Sequence, residues 1–177
     1  MTTTQKGLCW LVWLFILFCP LAPAAEAAPP ALSGEDFVIP DMSWLEIHQQ
    51  ISVRQLADYL GEEPDIETFQ YDEPGILCKF TTVQVWLTGT VDPHEPASVV
   101  RVLISDPKFV THRGLRVGQK EERIFARYGQ KPGYTSTIRN LTWHRYFADN
   151  SLERIIFAVD SEGNIAYIGF SCTAGGL

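Results

Sequence analysis

The chain has 177 residues, 46% of them hydrophobic and 20% charged, which is enough apolar matter for a packed core and argues against a disordered chain. With 21 Asp/Glu against 14 Lys/Arg its formal net charge is −7, which disfavours a nucleic-acid backbone as partner. The length admits one ordinary domain or two small fused modules.

Residues 1–27 read as a signal peptide. Lys6 is the only charge before the apolar run "GLCWLVWLFILFC" at 7–19, and Ala25-Glu26-Ala27 offers a small-residue cleavage site, preferred over Ala22-Pro23-Ala24. The run is shorter than the roughly 20 residues of a membrane-spanning helix. A lipid anchor on Cys19 is disfavoured, because Phe18 and Pro20 flank it where a lipobox has a small residue before its cysteine. The expectation is an exported chain, periplasmic or extracellular, with no integral membrane span after cleavage. Only Cys78 and Cys172 would remain. An even pair in an oxidising compartment predicts a disulfide between them, with two buried thiols as the alternative.

Residues 28–40, rich in Ala, Pro and Gly, read as a linker or mobile arm. A first module is expected over 41–108. Ser43 with Glu46 suggests a capped helix over 43–51. Ser52 with Gln55 suggests a second over "VRQLADYLG" at 53–61, with Leu56, Tyr59 and Leu60 as its apolar stripe and Gly61 as its cap. The period then changes to that of strands at 66–72, 75–80, 83–88 and 98–105. A second module follows over 109–177: a glycine-punctuated entry from 111, a helix over 119–128 capped by Gly129, and strands at 140–147, 153–160 and 164–171. "DSEGN" joins the last two as a hairpin turn.

A shift of 68 residues lays the first half on the second. Leu56 meets Ile124, Leu60 meets Tyr128, Gly61 meets Gly129 and Pro64 meets Pro132, and the strand 99–105 falls on 167–173. The fold class predicted is therefore α+β, with short helices packed on antiparallel sheet in a tandem repeat of two related modules. "HRGLRVGQKEERIFARYGQKP" at 112–132 resembles a signature of small exported bacterial proteins: a G-[IL]-x-V-G entry, a charged helix, then [YL]-G-x-x-P. It is similar to the β-lactamase-inhibitor-protein-like fold and to the BamE/SmpA-type outer-membrane-assembly lipoprotein domain, with a weaker echo at 51–64. That resemblance implies a binding or scaffold role and carries over no catalytic residue.

Tests for chemistry return little. The four histidines, 48, 94, 112 and 144, have no metal-ligand spacing, and no C-x-x-C occurs, so no metal or other cofactor is expected. The adjacent acids Glu62-Glu63 and Asp72-Glu73 sit in turn-like stretches and read as solvated. "VRQLADYLG" is not half of a DNA-reading helix-turn-helix, since acidic, proline-broken "EEPDIETFQYDEPG" follows it.

Charge is uneven. Residues 28–73 hold eleven acids against Arg54, whereas 108–145 hold nine Lys/Arg against Glu121 and Glu122. The expected binding surface is the solvent face of the sheet: Trp86, Arg101, His144, Tyr146 and Tyr167, assuming that Leu141, Trp143 and Phe147 face the helices. The function expected is non-catalytic recognition of an unidentified protein or envelope polymer. The alternatives are a structural envelope scaffold and a small cell-wall hydrolase.

Overall fold

The computed structural model describes residues 31–70, 73–149 and 151–172, so the expected signal peptide at 1–27 lies outside the described residues. The chain is an α+β protein dominated by antiparallel sheet. In order come β1 (Gln50–Ile51), α1 (Val53–Leu60), β2 (Asp65–Gln70), β3 (Pro74–Lys79), β4 (Val83–Thr88) and β5 (Ala97–Ile104). They are followed by α2 (Glu122–Tyr128), β6 (Tyr134–Ile138), β7 (Leu141–Phe147), β8 (Arg154–Val159) and β9 (Ile165–Ser171). The strands lie in the order β2-β3-β4-β5-β9-β8-β7-β6, with β1 pairing β5 off that path. Two four-stranded meanders thus meet through their last strands, β5 and β9.

Local rules set the ends of α1. Ser52 and Gln55 form a reciprocal capping box, Gln55 N–H to Ser52 Oγ at 3.3 Å and Ser52 N–H to Gln55 Oε1 at 2.9 Å. Gly61, at φ 72°, turns the chain left-handed and donates its N–H to Ala57 O. Leu56 of α1 and Ile124 of α2 are fully buried in one apolar cluster with Val85, Leu87, Val102 and Phe157 from the strands, so both helices cover the same face of the sheet. At the central seam Val102 pairs Phe170 and Ile104 pairs Ile168 on that face, while Arg101–Ser171 and Leu103–Gly169 lie on the other. The backbones approach closely there. A Cβ on Gly169 would stand 2.4 Å from both Leu103 Cδ2 and Val102 O.

Three expectations change. Residues 43–51 form turns and the short strand β1 rather than a helix. The helical turns come earlier, as 3-10 segments Gly34–Phe37 and Pro40–Met42. The second half of the expected 28–40 arm is packed down: Phe37 and Ile39 are buried, and Asp36 is 1% exposed. Arg113 holds Asp36 by two hydrogen bonds, Nε to Oδ1 at 2.6 Å and Nη2 to Oδ2 at 2.7 Å, while its Nη1 donates to Arg127 O at the end of α2. Finally, β6 forms where no strand was expected, joined to β7 by a two-residue turn with Arg139 at φ 51° and Asn140 at φ 64°. Positive φ at both positions is what a tight hairpin requires, here without glycine.

The expected disulfide is also corrected. Cys78 and Cys172 are free thiols. Cys78 lies on β3 facing the helices, and β4 and β5 separate it from β9, which ends just before Cys172. Three strand spacings amount to about 14 Å, well beyond the 4.4–6.8 Å Cα separation of a disulfide. Burial pushes the Cys78 thiol up to about 12.

Candidate binding face of the sheet

The face opposite the helices carries a second apolar cluster made only of strand residues. Leu103, Trp143, Ile156 and Ala158 are buried in it, with Trp86, Ile138, Leu141 and Tyr167 packed against them. Alternation along each strand puts these side chains on one side, and two bulges keep the parity right. One lies opposite Trp86/Leu87, so that both Val99 and Val102 turn toward the helices and Arg101 does not. The other lies at Ala158/Val159 against β9.

Arginines and rings interleave across this face. One cross-strand row runs Leu77, Trp86, Arg101, Ser171, Arg154, Phe147 over six adjacent strands. The next runs Gln84, Leu103, Gly169, Ile156, Arg145, Tyr134. The guanidinium of Arg101 sits over Trp86 at 5.4 Å, that of Arg145 over Tyr134 at 5.0 Å and that of Arg154 over Phe147 at 5.7 Å. Trp143 stacks on Tyr167, with 6.4 Å between ring centroids and 11° between planes. Tyr134 and Phe147 are exposed, whereas Arg101, Arg145 and Arg154 are buried.

The electrostatics are one-sided. Arg145 donates from Nη1 to Ser136 Oγ at 2.9 Å, whereas Nε and Nη2 of Arg154 are buried without a hydrogen-bond partner. Among the described residues no carboxylate forms an ion pair with Arg145 or Arg154. Burial lowers the pKa of both, and the charge of Arg145 lowers that of Arg154 further. Burial raises the Cys172 thiol, against which the nearby charges of Arg154 and Arg101 work.

Of the five expected binding residues, Trp86, Arg101 and Tyr167 share this face. His144 and Tyr146 do not. They point to the helix side, because β7 runs with the opposite parity: Leu141 and Trp143 pack in the outer cluster while Tyr146 packs in the helix-side core. Tyr146 packs on Tyr128 and Phe157 and donates its hydroxyl to Gly129 O at 2.8 Å. Sequence reasoning missed Trp143, Arg145, Arg154, Tyr134 and Phe147. The signal that would have found them is Arg145 itself, which shares its parity with Leu141 and Trp143 in "LTWHRYF".

His144 joins a different cluster. Its Nε2 meets Glu121 Oε1 at 2.5 Å and its Nδ1 meets Thr135 Oγ1 at 3.3 Å. A hydroxyl, an imidazole and a carboxylate in line have the connectivity of a nucleophile, base and orienting acid. The same contacts tie the start of α2 to the β6–β7 hairpin, a structural task that occupies all three groups. Among the described residues no three His, Cys, Asp or Glu side chains gather as metal ligands, and no helix is long and apolar enough to cross a membrane.

No protein-family model matches the chain, and no curated protein matches its sequence. Three solved structures are similar in fold. A DUF4309 family protein from Bacillus subtilis aligns at TM-score 0.46 and 12% identity, over 73% of this chain and 82% of its own. A cysteine-rich secretory protein from Staphylococcus aureus aligns at TM-score 0.47 and 12% identity, over 84% of this chain and 49% of its own. An extracellular protein containing a SCP domain from Bacillus anthracis aligns at TM-score 0.43 and 10% identity, over the same two shares. The chain therefore spans about half the length of the latter two. None of the three belongs to either family that the sequence resembles.

Proposed function

We propose that this chain is an exported, non-catalytic binding protein that recognises a protein or envelope component through the sheet face opposite its helices. One observation carries the reading: a face uncovered by either helix that gathers Trp86, Trp143, Tyr167 and three arginines. Trp, Tyr and Arg dominate the energetics of protein recognition. Stacked rings at the centre, with exposed Tyr134 and Phe147 near the β6–β7 side, give such a face both a dry centre and an approachable rim.

The duplication belongs to the same proposal. A shift of 68 residues carries Val53–Leu60 onto 121–128, where α2 is Glu122–Tyr128. It carries Asp65–Gln70 onto 133–138, where β6 is Tyr134–Ile138. Val102 lands on Phe170, its partner across the seam. Two copies of a helix-and-meander unit related about that pair would build one broad face from two halves, with Trp86 from the first and Trp143 from the second.

A hydrolase reading draws on the Thr135–His144–Glu121 contacts alone. Recovery of partners from native envelope by the exported chain, compared with Trp86→Ala, Trp143→Ala and Thr135→Ala, tests both. The binding reading expects loss in the two Trp variants with Thr135→Ala unaffected. Unchanged recovery in both Trp variants would sink it.

A further inference from the structure

Resting on that reading of the face, we infer that the face takes an acidic polypeptide segment, with a carboxylate seated against Arg154. Arg154 is 7% exposed, and its Nε and Nη2 are buried with no partner. A buried guanidinium left unsatisfied is costly in the free protein, and an Asp or Glu side chain can accept both of its open donors in the forked geometry that arginine offers. A neighbouring charge acts in the same direction. Arg145 is close enough to disfavour charge on Arg154. An incoming anion relieves that mutual repulsion.

The surroundings select a polypeptide. Phe147, 41% exposed, pairs with Arg154 and lies under its guanidinium, and Tyr134, 56% exposed, lies under that of Arg145, so apolar side chains flanking the acid meet exposed rings on the same patch. Bare phosphate would satisfy the guanidinium and leave these rings unused.

The test is direct titration of the exported chain with a labelled, end-blocked peptide carrying Glu at every third position among Leu and Phe, read by fluorescence anisotropy. Its Gln counterpart, polyphosphate and vesicles of anionic phospholipid are the parallel arms. The expected result is saturable binding of the Glu peptide, at least about tenfold weaker binding of the Gln peptide, and an affinity that falls as salt shortens the screening length. Arg154→Met should weaken the Glu peptide at least about tenfold, with Arg154→Lys intermediate because it keeps the charge and loses the fork. Thermal melts of both variants report folding independently. Equal binding of Glu and Gln peptides, binding of polyphosphate or vesicles in preference to the peptide, or wild-type affinity in Arg154→Met would overturn the inference. Envelope recovery abolished by Trp86→Ala but unchanged by Arg154→Met would overturn it and leave the proposed function standing. Recovery unaffected by either would remove both.

Discussion

Replacing Arg154 with methionine should make the protein more stable. Two buried donor nitrogens of Arg154, Nε and Nη2, have no acceptor, and each costs about 1–3 kcal/mol. Against this stands the contact of its guanidinium with Phe147 at 5.7 Å, about 0.5–1 kcal/mol for a ring that is 41% exposed. Methionine keeps an unbranched stem in the space now filled by the arginine methylenes, so little packing is lost. The net expectation is a gain of about 1–5 kcal/mol, or a rise in Tm of about 2–20 °C for a chain of this size. Urea unfolding followed by far-UV circular dichroism reads it as a higher midpoint with an unchanged slope. Arg154→Lys should give no comparable gain, because it keeps a charge in the same desolvated place. A midpoint for Arg154→Met lower than wild type would refute the reasoning, since the guanidinium would then be stabilising the free protein. A residue that weakens the fold while serving a site is the trade-off expected where function, not stability, selects a side chain.

Breaking the Asp36–Arg113 pair by Asp36→Ala should cost about 3–5 kcal/mol in denaturant titrations, because a mostly buried guanidinium loses its carboxylate. Burial pushes the Asp36 carboxyl up, but hydrogen bonds from Arg113 and Ser33 outweigh it and hold it below its ordinary value of 3.8. The stability it provides is therefore complete above that pH and is lost as pH falls through the depressed value. A pH series of melts should show this acid loss in the wild type and not in Asp36→Asn. A chain begun at residue 28 should show two reactive thiols when unfolded without reductant, and its Tm should not move on adding reductant; one missing thiol pair would reinstate the disulfide. Gly169→Ala should destabilise by about 1–3 kcal/mol in the same titrations, since its Cβ meets Leu103 and the Val102 carbonyl at 2.4 Å. Tyr146→Phe should lower stability by about 1 kcal/mol by leaving Gly129 O without its donor, and should leave partner recovery unchanged.

Features written in adjacent residues were legible. The Ser52/Gln55 box and Gly61 cap fix α1 from within one turn of chain, and the clean alternation of "VQVWLT" gave β4 with Trp86 on its correct side. What depended on distant partners was not. Asp36 looks like a linker residue until Arg113, 77 positions later, is seen to bind it. The even cysteine count pointed to a bond, yet strand order decides who is near whom, and two strands come between. β6 hid behind a hairpin turn made by Arg139 and Asn140, residues without the glycine that usually marks one. The faces of β7 were reversed because both are covered with large side chains: Trp143 looked like core and His144 like surface, while the burial of His144 rests on Glu121 from the start of α2. The candidate site was therefore half legible. Trp86, Arg101 and Tyr167 came from alternation, whereas Trp143, Arg145, Arg154, Tyr134 and Phe147 came only with the sheet order.

The seam between β5 and β9 also has a kinetic meaning. The strand completed last is not at an edge but in the middle, and its partner Val102 lies 68 positions before Phe170. Until β9 forms, the first meander presents β5 as an edge covered only at its start by β1, and the second presents β8, each flanked by apolar side chains. Closing that seam requires contacts between residues far apart in the chain, the kind that slows folding and prolongs exposure of unpaired edges. The β5–β9 seam is thus the pairing of greatest sequence separation in the sheet, and until it closes the facing edges of the two meanders lack each other.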